Sequence, residues 1–231
     1  MAERGSFITF EGLDGCGKST QLEKLALVLR EQGRLVVVTR EPGGTSQGEK
    51  IRSLLLDTST KDLAPAAELA LMFAARAQHI QEVIVPALEQ GAIVLCDRFT
   101  DSSEAYQGGG RGLGVELILE LHRLLCQGLQ PELTILMDSD VTSSIERARR
   151  RNKRHGLNPE RAARDENRFE QESRGFFERV QAAYHAIAAR EPSRIELIDA
   201  RGTPEETHRA IAHVVGLRLR LVVESRRSNG K

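Results

Sequence analysis

The stretch EGLDGCGKST, residues 11–20, constrains the fold of this chain more than any other. Gly12, four residues, Gly17, Lys18 and Ser19 follow a short apolar run. Leu22, Leu25, Ala26 and Leu29 come next, at the spacing of one helix face. A strand, a glycine-rich turn and an amphipathic helix in that order make a phosphate-binding loop. Gly12, Leu13, Asp14, Gly15, Cys16 and Gly17 would wrap the phosphates through backbone N–H groups, and Thr20 is expected among the ATP-binding residues with them. The helix N-terminus adds positive potential. Lys18 is placed to reach the β- and γ-phosphates, and Ser19 to offer its hydroxyl to Mg²⁺.

Four further apolar runs carry the same message. With SFITF (6–10) they are LVVVT (35–39), AIVLC (92–96), LTILMD (133–138) and IELID (195–199). They are continuous rather than alternating and rich in Val and Ile, as strands buried on both faces are. Helical patterns separate them. Leu117, Ile118, Leu121, Leu124 and Leu125 share a face. Thr203-Pro204-Glu205-Glu206 reads as a cap, a first-turn proline and a capping-box Glu. A long pattern from about 66 to 89 is interrupted by Pro86, which predicts a kink or break. This alternation predicts a three-layer α/β fold: a five-stranded parallel sheet between helices, with ligands at the carboxyl ends of the strands. A single domain over residues 1–216 is expected, with 217–231 as an edge strand and frayed tail, or a partner-binding extension.

The 231-residue length suits one such domain. Net charge is zero, so no global field draws the chain to nucleic acid or membrane. Cys16, Cys96 and Cys126 have no zinc or C-x-x-C spacing, and no apolar run is long enough for a membrane span. A cytoplasmic location is expected. Cys16, near Lys18 and a helix N-terminus, reads as a small loop residue or as a redox-sensitive thiol. Residues 147–168 are locally basic, nine Lys or Arg against three acidic residues.

The loop alone leaves the chemistry open. A GTPase would also show D-x-x-G and N-K-x-D; NKRH at 152–155 lacks the final Asp and follows no strand. After the second apolar run comes TREPGGT (39–45), and after the third CDRFTDSSEAYQGGGRG (96–112), both at ligand-facing ends. Asp97 can hold hydrated Mg²⁺ opposite Ser19, and Arg98 can fork onto a phosphate. Arg76 and Phe73 pair a planar cation with an aromatic ring, which suits a nucleobase. Glu41 is either a ligand or a shaper of the turn before Pro42.

EGLDGCGKST, TREPGGT, LMFAARAQ, DRFTDSSEAYQGGGRG and RFEQES together resemble the bacterial thymidylate kinases, over about residues 6–200. The resemblance implies a homodimer that transfers the ATP γ-phosphoryl group to dTMP with Mg²⁺. It implies that Asp14 approaches the acceptor's sugar–phosphate region and that Arg98 grips its phosphate. Arg40 and Arg52 line the same pocket, with Glu41, Pro42 and Ser102 among its residues. Arg76, Ser103 and Gln107 would read the thymine edge, and Tyr106 would pack under the sugar and disfavour a 2′-hydroxyl. The stacking aromatic usually stands four residues before the arginine. That place is Met72 here, and Phe73 is taken as the platform. Asn167 replaces an Asp that commonly precedes RFEQE.

Some members of the family carry an arginine directly after the loop acid, where this chain has Gly15. The missing cation would then come from the basic stretch, acting as a lid over ATP, with Arg149, Arg151 and Arg168 as candidates. An ionised phosphate acceptor needs no general base, so catalysis would rest on positioning and charge neutralisation. Two other readings stand at this level. One is a kinase for another nucleoside monophosphate or a deoxynucleoside. The other is a P-loop protein that holds nucleotide without turnover.

Overall fold

The computed structural model describes residues 4–60, 62–155 and 168–219, with the backbone alone for 151–155. Five parallel strands form one sheet: β1 (Phe7–Glu11), β2 (Val36–Arg40), β3 (Ile93–Asp97), β4 (Leu133–Asp138) and β5 (Ile195–Asp199). Their order is β2-β3-β1-β4-β5. The expected five-stranded parallel sheet is therefore present. Each strand runs one residue beyond the continuous apolar segment or to its last acid, because the parallel ladder still pairs Phe10 with Asp97 and Arg40 with Asp97. All five strands thus end on a charged residue at the ligand edge: Glu11, Arg40, Asp97, Asp138 and Asp199.

Helix α1 (Lys18–Glu31) and helix α9 (Pro204–Arg218) cover one face. Leu22, Leu25 and Leu29 of α1 and Ile211 and Val215 of α9 are buried against Ile8, Phe10, Leu95 and Ile135 of the sheet. The capping box at Thr203 and Glu206 is formed, each side chain bonding the other residue's backbone N–H. Leu217 and Arg218, expected to begin an edge strand, instead complete α9; residues 220–231 lie outside the described residues.

The opposite face is covered by α3 (Pro65–His79), a wide π turn (Ile80–Ile84), α4 (Val85–Glu89) and α6 (Val115–Leu125). The break expected at Pro86 is spread over the turn before it. Proline offers no N–H to the carbonyl of Glu82 and its ring crowds that turn, so the register widens upstream.

A third cluster joins α8 (Arg174–Arg190) to the chain after β3, where a short α5 (Thr100–Ser103) passes into a second π turn (Glu104–Gly110). Phe176, Phe177, Val180 and Tyr184 pack there with Leu13, Tyr106 and Leu136. The glycines of AYQGGG allow this approach. A Cβ on Gly109 would stand 2.7 Å from that of Ala183, and one on Gly110 would stand 2.6 Å from the Phe176 ring. Among the described residues the remaining α-helices are α2 (Ser46–Leu56) and α7 (Val141–His155).

Candidate active site

β1 is the central strand where the sheet order reverses, and the phosphate-binding loop leaves its carboxyl end. Gly17 caps α1 in the left-handed conformation. Lys18 is nearly buried, and its Nζ donates to the carbonyls of Gly12 and Leu13 at 3.0 and 2.8 Å. Leu13 and Cys16 are buried under the loop, and Thr20 is exposed. Cys16 Sγ lies 3.8 Å from Lys18 Nζ. Gly15 stands against α7: a Cβ there would meet the Ser144 carbonyl at 2.3 Å, at φ +82°. This loop has no room for a side chain, and so none for an arginine, at that place.

Ser19 Oγ donates to Asp97 Oδ2 at 2.8 Å. The other oxygen, Asp97 Oδ1, is buried without a hydrogen-bond partner among the described residues. A hydroxyl and a half-satisfied carboxylate at the mouth of a phosphate loop are hard oxygen donors of the kind Mg²⁺ takes.

Arg98 follows directly, at φ +73°, a conformation that costs a non-glycine residue about 1–2 kcal/mol. Its neighbours hold it there. Arg98 N donates to the Phe10 carbonyl at 2.9 Å, and Phe99 N donates to Glu11 Oε1 at 2.7 Å. The guanidinium donates to Asp14 Oδ1 (2.7 Å), Ser102 Oγ (2.9 Å) and the hydroxyls of Tyr184 (3.1 Å) and Tyr106 (3.2 Å). It also lies 4.9 Å from the Tyr106 ring centre. Burial disfavours its charge, but Asp14, Tyr106, Tyr184 and Asp97 together outweigh burial, and the pKa stands well above the usual arginine value. Burial raises the Tyr106 phenol, which keeps its proton.

Below this cation lies Glu11, fully buried, which accepts from Phe99 N, from Ser102 Oγ at 2.5 Å and from the Tyr184 hydroxyl at 2.8 Å. Burial lifts its carboxyl to about 7, with Asp101 adding to the rise and Arg98 opposing it.

A second polar network lies under the β2 end. Arg76 is buried. Its Nε donates to Glu41 Oε2 at 2.6 Å, and its Nη2 to the Phe99 carbonyl and Ser103 Oγ, both at 3.0 Å. Its Nη1 is buried with no partner among the described residues. His79 Nδ1 donates to Glu41 Oε1 at 2.9 Å, since a carboxylate only accepts, and His79 Nε2 lies 2.6 Å from Thr39 Oγ1. Burial pushes the Glu41 carboxyl up, but Arg76 and His79 prevail and it lies below the ordinary 4.5. Glu41 both shapes the turn, through a cis bond to Pro42, and anchors Arg76. On the outer wall Arg40 pairs with Glu49 at 2.9 Å, and Arg52 donates to the Pro42 carbonyl at 2.9 Å.

Two expectations need correction. Phe73 presents no open ring to a base. It is completely buried, and the Arg76 guanidinium covers it at 4.8 Å from the ring centre. The side chain one position earlier, Met72, is half-buried and packs with the Tyr106 cluster instead. Arg168 is not free to meet a phosphate. It is buried, with Nε on the Leu55 carbonyl at 2.6 Å and Nη2 on Glu68 at 2.7 Å. Arg149 is exposed, 3.4 Å from the Glu170 carbonyl. The side chain of Arg151, Asn167 and most of the basic stretch lie outside the described residues.

Sequence reasoning missed Glu11, Glu68 and Tyr184, and set His79 aside. Each is buried and polar, and none stands in a spacing that signals chemistry.

The sheet, the loop and the cation pair Lys18 and Arg98 define a P-loop α/β protein of the nucleotide kinase class. The thymidylate kinase family profile matches residues 10–211. Thymidylate kinases of Pelobacter propionicus and Pseudomonas putida are 49% and 51% identical to the chain, over 90% and 89% of it and over 92% and 93% of their own lengths. The crystal structure of thymidylate kinase from Ehrlichia chaffeensis superposes with a TM-score of 0.71 at 33% identity, over 92% of this chain and 98% of that one. The chain belongs to the thymidylate kinase family.

The Arg76–Glu41–His79 network makes a stability prediction. Glu41→Ala leaves a guanidinium buried without its counter-charge and is expected to cost about 3–5 kcal/mol in urea unfolding. Because the Glu41 carboxyl is depressed on folding, its contribution is full above pH 4.5 and fades on acidification through its folded value. The acid limb of the stability curve should therefore be shallower in Glu41→Ala than in the parent.

Proposed function

We propose that this chain transfers the γ-phosphoryl group of ATP to dTMP, giving dTDP. The observation that carries this reading is the Arg98 guanidinium, fixed by four side chains at the carboxyl end of β3 and facing the phosphate loop, with its backbone N–H held by the Phe10 carbonyl. Two polyanions must meet in line, and a rigid cation between them offsets their repulsion in a site partly closed to water. In this reading Arg98 takes the dTMP phosphate, with Asp14 orienting the guanidinium and the sugar side. Lys18 swings from the loop carbonyls to the β- and γ-phosphates. Ser19 and Asp97 would hold Mg²⁺, which supplies charge neutralisation between the phosphates.

The base is assigned to the space bounded by Arg76, Ser103 and Gln107, with Tyr106 beneath the sugar and Met72, rather than Phe73, on the open side. The unpaired Arg76 Nη1 supports this, since a buried donor in need of an acceptor suits a pyrimidine carbonyl. Arg40 and Arg52 form the outer rim. The remaining cation at the γ-phosphate is assigned to Arg149 or Arg151, because Gly15 admits no side chain and Arg168 is committed to Glu68. The exposed Leu117, Leu124 and Leu125 of α6 are proposed as part of a homodimer interface. No described helix is long and apolar enough to cross a membrane. With zero net charge this fits a cytoplasmic protein that does not bind nucleic acid.

ADP release from ATP with Mg²⁺ in a panel of monophosphates tests the acceptor. The expected order places dTMP first; preference for dUMP, dCMP or AMP overturns the assignment. Arg149→Ala and Arg151→Ala test the donor side. One of them should lower kcat about 10²–10³-fold with little change in the dTMP KM. Full kcat in both single variants and in the double variant rules the basic stretch out of catalysis.

A further inference from the structure

We propose that Glu68 is a positioning residue that fixes which way round Gln107 presents its carboxamide, and thereby sets the choice between a 4-oxo and a 4-amino pyrimidine. This rests on the assignment of Arg76 and Gln107 to the base edge. Glu68 stands in the first turn of α3 and is completely buried. Its Oε1 accepts from Gln107 Nε2 at 2.8 Å and from Arg111 Nε at 3.3 Å. Its Oε2 accepts from Arg111 Nη2 at 3.1 Å and from Arg168 Nη2 at 2.7 Å. Two guanidinium groups thus hold the carboxylate from either side, and the segment carrying Arg168 is itself tied to α2 by Arg168 N on the Leu56 carbonyl at 3.1 Å.

A carboxylate has no proton to give, so Gln107 must turn its NH₂ toward Glu68. The amide carbonyl is then left on the other arm, and it receives no hydrogen bond among the described residues. Gln107 lies one helical turn beyond Ser103, whose hydroxyl accepts from Arg76, and the spare Arg76 Nη1 is buried alongside. The edge of the site therefore combines one unpaired donor with one unpaired acceptor. Thymine offers O4 to the donor and N3–H to the acceptor. Cytosine offers an amino group and an unprotonated N3, and both contacts are mismatched. An amide free to rotate by half a turn would satisfy cytosine N3 with its NH₂ and remove one of the two mismatches. Glu68 blocks that rotation without touching the base.

The experiment is kcat/KM for dTMP and for dCMP, with ATP, in the parent, Glu68→Gln, Gln107→Leu and the double variant. Glu68→Gln keeps the volume, but its own amide accommodates either orientation of Gln107. The dTMP-to-dCMP ratio should fall by about tenfold or more in Glu68→Gln, and the double variant should match Gln107→Leu, because the two residues act through one amide. Arg168→Lys loosens the same ion cluster without reaching that amide, and should lower both substrates together at constant ratio. If Glu68→Gln does not fold, Glu68→Asp keeps the charge while drawing the carboxylate back from Gln107, and the same fall in ratio is expected. The proposal is overturned by an unchanged ratio in the Glu68 variant while Gln107→Leu lowers it, or by independent, additive effects. A ratio unmoved by Gln107→Leu overturns the base-edge assignment of Gln107, and the role of Glu68 with it.

Discussion

The structure depends on one immobilised cation. Arg98 sits in a left-handed backbone conformation that it would not adopt unaided, and its guanidinium has almost no freedom once Asp14, Ser102, Tyr184 and Tyr106 have engaged it. The kink is maintained from beneath by Glu11, which takes the next backbone N–H and also the hydroxyls of Ser102 and Tyr184. β1, β3, α5 and α8 therefore meet at a single charge. Strain of about 1–2 kcal/mol at one residue is small beside the hydrogen bonds that retain it, and it aims the cation before any ligand arrives.

The parallel sheet makes this convergence possible. Every strand ends at the same edge on a charged residue, and the order reversal at β1 opens the crevice into which the loop and the β3 end both point. Such charges are expensive to bury singly, so they are arranged in pairs: Asp14 with Arg98, Glu41 with Arg76, Glu68 with Arg111 and Arg168. What is left over is informative. Asp97 Oδ1 and Arg76 Nη1 are the incomplete members among these groups, one suited to a metal cation and the other to a base carbonyl.

Much of this was legible in the sequence. Apolar runs of Val and Ile located five strands to within a residue, and the loop motif placed β1 and α1 correctly. Strand ends were read short because hydrophobicity stops where function begins, at Glu11, Arg40 and Asp97. The break in the 66–89 pattern is legible from Pro86, but its position is not: the widened turn lies upstream, at Ile80–Ile84, and periodicity carries no mark of it. The spacing offers Phe73 as a platform because sequence gives spacing but not which face of α3 turns inward; one position of rotation exchanges it with Met72. Arg168 looked like a spare cation because its partner, Glu68, lies 100 residues away. Glu11 and Glu68 were invisible for the same reason. A buried carboxylate acquires meaning only from the groups that folding brings to it.

The most direct measurement compares two ligands on one substitution. Calorimetric titration of Arg98→Ala should show the affinity for dTMP greatly reduced and the affinity for thymidine, which lacks the phosphate, close to that of the parent. Equal losses for both ligands would mean that Arg98 merely supports the pocket. Unchanged dTMP binding would mean that the acceptor phosphate lies elsewhere.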